Sequence, residues 1–314
     1  MGAKKATDLL TGEVLDLSDV ISLVSPTDTP ILSLLMAQGK VVPAGDINVS
    51  WREESLDEDR VNPTLEGAEA SEAITTGRAS ITNTCQILSK VTAVTGTVEA
   101  LNVKGIGKEL NRQVLHRLTE IKRDGEYYAL QGAKASESGS TARQMNGLLN
   151  LVGNTVDLTA ESGDGKLTED AINTAFKAMW DRGQAGGSNV IAVCNASVKG
   201  FINKLFKDSS TLIANQGTNN ILGTTVAKLV TDYGEAEIIL DRHMPNDQLL
   251  IIDLDKCEIA ELRAAQAEGL GKTGDNTKVL VVHEFTMKLL NKYSGSKIIN
   301  ISGYKVGETA STGA

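Results

Sequence analysis

The chain has 314 residues, 41% of them hydrophobic and 23% charged, with a formal net charge of −9 and three cysteines. That apolar content is enough for a packed core in one or two domains and excludes a disordered polymer. The acidic balance argues against a general nucleic-acid binder, which needs clustered Lys and Arg against phosphates, and no run of about 18 apolar residues offers a membrane span.

The opening stretch, MGAKKATDLLTGEVLDL, lacks the apolar segment and small-residue cleavage site of a signal peptide, so residence in a cytoplasm is expected. Cys85, Cys194 and Cys257 are odd in number and form no CxxC pair. Buried thiols are expected of them rather than a disulfide framework or a zinc site. Residues 1–43 then mix polar positions with short apolar clusters and carry Pro26, Pro30 and Pro43. Prolines break long helices and favour extended or turn segments, so this part reads as an arm that packs on something else.

From Asp46 the pattern alternates, with Ile47, Val49 and Trp51 on one face and Asn48, Ser50 and Arg52 on the other. This predicts a strand. Between Glu53 and Glu72 stand Glu53, Glu54, Asp57, Glu58, Asp59, Glu66, Glu69 and Glu72 against one base, Arg60, a local charge of −7. A second extended run over 79–97 resumes alternation at Ile81, Asn83, Cys85 and Ile87. The two runs bracket a long charged loop, and loops beyond about 12–15 residues in compact domains are usually functional or disordered. The hairpin therefore reaches beyond its own domain.

A helix is predicted over 99–132, where Val103, Ile106, Leu110, Val114, Leu118 and Ile121 recur at steps of three and four. Its other faces carry Lys104, Lys108, Glu109, Arg112, Arg117, Glu120, Lys122, Arg123, Asp124 and Glu126. Some 30 residues would make a rod of ~45 Å. Gly105, Gly107 and Gly125 each weaken it by ~1 kcal/mol relative to alanine. After a Gly/Ser-rich connection a second helix starts at Thr168, with Glu169 and Asp170 in its first turn, and stops before Gly183.

The rest reads as mixed α/β: a strand at 189–194, a helix at 196–206, and strands at 226–231, 236–240, 248–253, 257–262, 279–285 and 297–301. Turns at Tyr233-Gly234 and over 244–247 predict antiparallel neighbours. The polar end from 305 is expected to be disordered.

Catalytic motifs fail on spacing. Gly271-Lys272-Thr273 resembles the end of a phosphate loop, but Gln266 stands where the first glycine belongs. Gly105-Ile106-Gly107 opens like a dinucleotide fingerprint, but Leu110 occupies the third glycine position. His116, His243 and His283 fall in no ligand pair, and Cys194 has no signature for a base. The acid run lacks the order of a calcium loop. No catalytic residue, cofactor or metal is expected.

The order of arm, charged hairpin, long amphipathic helix, mixed α/β half and terminal strands resembles the tailed-bacteriophage major capsid proteins of the Hong Kong 97 type. Residues 25–35 (SPTDTPILSLL) resemble the arm motif of one branch of that family. Residues 49–54 (VSWREE) resemble its hairpin strand, and 108–116 (KELNRQVLH) with 126–130 (EYYAL) its spine helix. Residues 241–245 (DRHMP) and 249–254 (LLIIDL) resemble its return strands.

The resemblance implies an α+β fold of that type (HK97-like). Its parts would be an N-terminal arm (1–45), an E-loop β-hairpin (46–97), a peripheral (P) domain with the spine helix (98–185), an axial (A) domain (186–262), return strands of the peripheral domain (263–304) and a disordered tail (305–314). It implies self-assembly into hexamers and pentamers of an icosahedral shell around double-stranded DNA, built in the host cytoplasm and residing in the virion. Partners would be the chain itself, a portal, packaged DNA held non-specifically, a decoration protein in some members, and, given the short arm, a separate scaffolding protein. No membrane is implied, and no cross-linking signature is readable.

Charge suggests how subunits would meet. Glu53, Glu54, Asp57, Glu58, Asp59 and Arg60 of one subunit's hairpin are expected to face Arg112, Arg117 and Lys122 on a neighbour's spine helix. The alternatives are an encapsulin-type compartment shell, which shares the fold but encloses a cargo enzyme, and an α/β enzyme without a readable motif.

Overall fold

The structure, a computed structural model, describes residues 25, 27–56, 65–67, 69, 77–101, 108–161, 163–184, 187–208, 226–272 and 274–306. In chain order the elements are α1 (Pro30–Ala37), β1 (Val41–Pro43), β2 (Asn48–Glu54), β3 (Arg78–Thr84), β4 (Gln86–Thr95), α2 (Gly96–Ala100), α3 (Glu109–Gln131), α4 (Leu148–Leu151), β5 (Asn154–Asp157), α5 (Leu158–Glu161), β6 (Lys166–Leu167), α6 (Glu169–Asp181), β7 (Val190–Cys194), α7 (Ala196–Asp208), β8 (Lys228–Thr231), β9 (Gly234–Leu240), β10 (Leu249–Asp253), β11 (Cys257–Leu270), β12 (Asn276–Leu289), β13 (Gly295–Ile299) and β14 (Gly303–Tyr304). This is the α+β composition expected. The chain divides into two units, and α3, β4, β11 and β12 each contribute to both.

The larger unit takes in 28–88, 123–264 and 284–314. Its centre is a six-stranded sheet in the order β5-β13-β10-β7-β9-β8. The inner strands β7 (VIAVC) and β10 (LLIID) are buried at every position, which is why they read as unbroken apolar runs rather than alternations. One face receives α6, through Ile172, Ala175, Phe176 and Met179, and α7, through Val198, Ile202 and Leu205. Thr168 caps α6 by accepting from the Ala171 N–H at 3.1 Å, as its sequence position predicts.

The smaller unit takes in 1–27, 89–122 and 265–283. Within it α3 is laced to β4 by charge: Glu120 pairs with Arg117 at 2.6 Å and with Lys90 at 3.3 Å. The Gly96 N–H donates to the Asp275 carbonyl at 3.2 Å.

Several sequence expectations need correction. The arm does contain a helix, α1, because Pro30 occupies its first position, where a missing N–H costs nothing. The long helix begins at Glu109 and spans 23 residues, or ~34 Å, with Val103, Ile106, Gly105 and Gly107 outside the described residues. Gly125 sits where the packing is tight: a Cβ there would stand 3.1 Å from the Phe285 ring and 3.4 Å from Leu32.

The extended run expected over 79–97 is two strands that part at Cys85. β3 pairs with β2, whereas β4 joins a sheet of order β1-β11-β12-β4. β8 and β9 are antiparallel neighbours as predicted, but β9 and β10 are separated by β7, so the turn at 244–247 crosses over a strand instead of closing a hairpin. β11 and β12 run to 14 residues each, well beyond the expected bounds. Lys305 is ordered, its N–H donating to the Leu167 carbonyl at 2.9 Å, and residues from 307 onward lie outside the described ones.

Candidate functional site

The hairpin is built as the alternation predicts. β2 and β3 pair antiparallel from Asn48↔Thr84 to Glu54↔Arg78, in a two-stranded sheet of their own. Val49, Trp51 and Glu53 turn inward and their neighbours outward. A two-stranded ribbon is marginal in water by itself, so its orientation depends on how its root is held.

Asn83 supplies much of that hold. Its side chain is fully buried and uses both of its ends twice. Nδ2 donates to the carbonyls of Asn146 at 2.9 Å and Met287 at 2.7 Å, while Oδ1 accepts from the Thr84 N–H at 2.9 Å and the Asn146 N–H at 2.8 Å. One amide thereby joins β3, β12 and the loop after α3.

Around it, the Cys85 N–H donates to the Ile47 carbonyl at 2.7 Å, and the Lys134 ammonium donates to the Thr82 carbonyl. Arg143 donates to the Cys85 carbonyl at 2.9 Å and pairs with the buried Glu284, whose other oxygen is held by Arg263 at 2.7 Å. The polar groups named here each have a charged or amide partner, which is what keeps a buried polar cluster from being a liability.

The residues expected at subunit contacts fall into three groups. Asp57, Glu58, Asp59 and Arg60 lie outside the described residues. Glu53 is used within the chain, accepting from the Lys292 N–H at 2.8 Å, and Glu54 pairs with its ladder partner Arg78 at 3.1 Å on the exposed face. On α3, Arg112 pairs with Glu109 and Arg117 with Glu120, both at 2.6 Å and three residues apart. Hydrogen bonds from Arg112 and Gln113 hold the Glu109 carboxyl below its ordinary value. Although burial works against it, Glu120 is likewise held low by Arg117 and Lys90. Lys122 is half-buried on the same helix. Leu56 and Leu65, which lie within the acidic stretch, are 87% and 85% exposed. Large apolar side chains left in water beside a charge run suit a surface that another chain covers.

Glu126 overturns its sequence reading. It was expected on a charged outer face of the helix, yet it is completely buried beside Ile121, Gly125, Ala129 and Leu130. Its carboxyl oxygens accept the N–H groups of Ile31 at 2.6 Å and Leu32 at 2.9 Å, capping α1 across 95 residues of sequence. Asp241, 2% exposed, stands within hydrogen-bonding reach of it. The signal was slight: Glu126 stands four residues before the apolar Leu130 but five after Ile121, off the steps of three and four that define the stripe.

All three cysteines are buried and unpaired, as expected. Burial raises the thiols of Cys85 and Cys194 to about 11 and that of Cys257 further still. Among the described residues no group of three His, Cys, Asp or Glu could hold a metal. Gly271 and Lys272 lie between two antiparallel strands, where the strand-to-helix turn of a phosphate loop is missing.

Comparison with known proteins bears on this geometry. The family described as SU10 major capsid protein matches residues 4–302. The major capsid protein of Escherichia phage Phieco32 is 32% identical over 122 residues, a match spanning 38% of this chain and 34% of that protein. A capsid subunit of cyanophage A-1(L) superposes with a TM-score of 0.67 at 12% identity, covering 95% of this chain and 98% of that one. An encapsulin from Synechococcus elongatus PCC 7942 superposes with a TM-score of 0.57 at 11% identity, over 92% of this chain and 95% of that one. At such identities the solved structures establish the fold, which is of the Hong Kong 97 type.

Proposed function

This chain belongs to the SU10 major capsid protein family, matched over residues 4–302, and from that premise we propose that it builds the icosahedral head of a tailed bacteriophage around double-stranded DNA. Many copies would close into hexamers and pentamers through heterologous contacts that complete rings about symmetry axes. The observation that carries this reading beyond family membership is the hairpin. A two-stranded ribbon is clamped at its root by Asn83, Arg143 and Glu284, while Leu56 and Leu65, within the acidic stretch of sequence that joins its strands, are exposed. A rigid root with an apolar and charged tip is built to engage another subunit rather than its own core.

In this reading the hairpin of one subunit lies over its neighbour. Glu54, Asp57, Glu58 and Asp59 approach Arg112, Arg117 and Lys122 of the neighbouring α3, exchanging or extending the intrahelical pairs those arginines make. Glu53 supports the hairpin from within its own chain. Exposed ion pairs contribute ~0–1 kcal/mol each, so such contacts set register and rate more than affinity. The protein acts through these contacts and has no catalytic role, with a portal, scaffolding protein and decoration protein as the partners its role calls for. It assembles in the host cytoplasm and resides in the virion.

Electron microscopy of the purified protein tests the class, with closed particles tens of nanometres across containing DNA expected from infected cells. Charge reversal at Glu54, Asp57 and Glu58 tests the pairing. Assembly yield should fall and recover when Arg112, Arg117 and Lys122 are reversed as well. Unchanged yield and unchanged salt sensitivity in the hairpin variant would discard it. The encapsulin reading draws on the shared fold alone, at 11% identity, and predicts a cargo enzyme inside the shell in place of DNA.

A further inference from the structure

The helix α1 has no cap of its own. The side chain of its flanking residue Thr29 accepts no backbone N–H of the first turn, its hydroxyl pairing instead with the Ser33 hydroxyl at 3.2 Å. Pro30 has no N–H, and the Ser33 N–H is taken by the Thr29 carbonyl at 3.1 Å. The two remaining donors of the first turn, Ile31 and Leu32, both rest on Glu126. Behind Glu126 stands Asp241. One of its oxygens accepts the His243 N–H at 2.7 Å, and the other, Oδ2, is buried without a donor. Two carboxyl groups, completely and almost completely buried, thus meet at a site with one unfilled acceptor. A proton on Glu126 fills that vacancy, because only a protonated carboxyl has a hydrogen to give.

We propose that a proton on Glu126, donated to the buried Asp241 Oδ2, latches the arm helix α1 to its subunit, the latch opening when the proton is lost. With the proton, the pair carries a single charge and faces the α1 N-terminus, where the helix dipole favours it. Without it, two negative charges are confined together away from water.

The surroundings supply little to neutralise a second charge. Over Pro30–Ala37, α1 has no titratable side chain. Just before it, Asp28 is paired with Arg242 at 3.3 Å, both of them exposed. On α3, Arg123 leans on Asp124 at 3.7 Å, next to Lys122. From β7, the Cys194 carbonyl accepts the Asp241 N–H, and its thiol is kept protonated by burial. From β12, Phe285 packs over Gly125, and Glu284 is committed to Arg143 and Arg263. The His243 carbonyl accepts from the Gln131 amide.

Burial, and after it the hydrogen bond to Asp241, push the Glu126 carboxyl up to about 8, against the downward pull of the Leu32 and Ile31 N–H groups. Because the folded value lies above the unfolded one, the protonated folded form is favoured. Its stabilisation is complete below the unfolded value near 4.5, declines as pH rises, and is gone once pH passes through about 8.

Hydrogen exchange of the full-length chain between pH 6 and 9, corrected for intrinsic exchange, reads the latch in peptides covering 28–38. One unit above the midpoint about a tenth of the sites keep the proton, so protection there should fall about tenfold by pH 9 while peptides covering 190–194 hold theirs. E126Q supplies a permanent donor to Asp241, and D241N removes the second charge. Both should flatten the profile. Constant wild-type protection from pH 6 to 9 would overturn the proposal, and so would variants that keep the wild-type fall. The wild-type profile decides alone should either variant fail to fold.

Discussion

Replacing Asn83 with alanine removes the amide that fixes the hairpin root and leaves four backbone groups short of a partner. These are the N–H groups of Thr84 and Asn146 and the carbonyls of Asn146 and Met287, now bonded at 2.7–2.9 Å. A buried polar group left unsatisfied costs ~1–3 kcal/mol, more reliably for an N–H than for a carbonyl with a second lone pair. Counting the two N–H groups in full and the carbonyls in part, and allowing for water entering the space, the loss should be ~3–5 kcal/mol. That is a large share of a typical domain stability of ~5–15 kcal/mol.

Trp51 makes the assay local. It is 7% exposed on β2, directly opposite Ile81, whereas Trp180, the other tryptophan of the chain, is 56% exposed on α6. In a W180F background, urea unfolding followed by Trp51 fluorescence should show the unfolding free energy falling by the amount above in N83A, with a matching fall in midpoint. S80A, on the exposed side of β3, should stay within about 0.5 kcal/mol of the parent. A loss in N83A under 1 kcal/mol would refute the claim that this amide holds the root.

Two further pairs of substitutions separate space and charge from propensity. G147A should cost ~2–3 kcal/mol, because its Cβ would sit 2.5 Å from the Leu130 carbonyl and 2.6 Å from the Gly132 nitrogen, both backbone. G200A, in α7 with open space around it, should instead stabilise by ~0.5–1 kcal/mol; thermal unfolding of the pair checks the sign. R143M should cost ~3–5 kcal/mol, since it strips the buried Glu284 of its more enclosed partner and frees the Cys85 carbonyl. R263M removes a half-exposed partner of the same carboxylate and should cost ~1 kcal/mol or less; equal losses in a denaturant titration would contradict this ranking.

Much of the local structure was legible because it is written in short-range patterns. Alternation at Val49 and Trp51 gave the hairpin strand and its inward face. The cap and acids at Thr168, Glu169 and Asp170 placed the start of α6, and the apolar runs at 190–194 and 249–252 marked the two strands at the middle of the six-stranded sheet. α1 is not legible from the sequence because Pro30 reads as a breaker, although at the first helical position it is neutral.

The candidate site was only half readable. Its charge run and the spine arginines stand out in the sequence, but the residues that aim the hairpin do not. Asn83 looks like one polar position in an alternating strand, and its partners lie 63 and 204 residues away.

By itself the sequence determined most of the main strands and helices and the acidic character of the hairpin, since these rest on periodicity and composition over a few turns of chain, while the family was legible through the resemblance of segments spread along the chain. Tertiary structure alone decided that β7 separates β9 from β10, that the extended run parts at Cys85, and that Glu126 is a buried cap for α1 instead of a surface charge. Those outcomes depend on which distant groups are brought together. A carboxyl on a helix becomes a solvated charge or a proton donor according to whether water or Asp241 stands beside it.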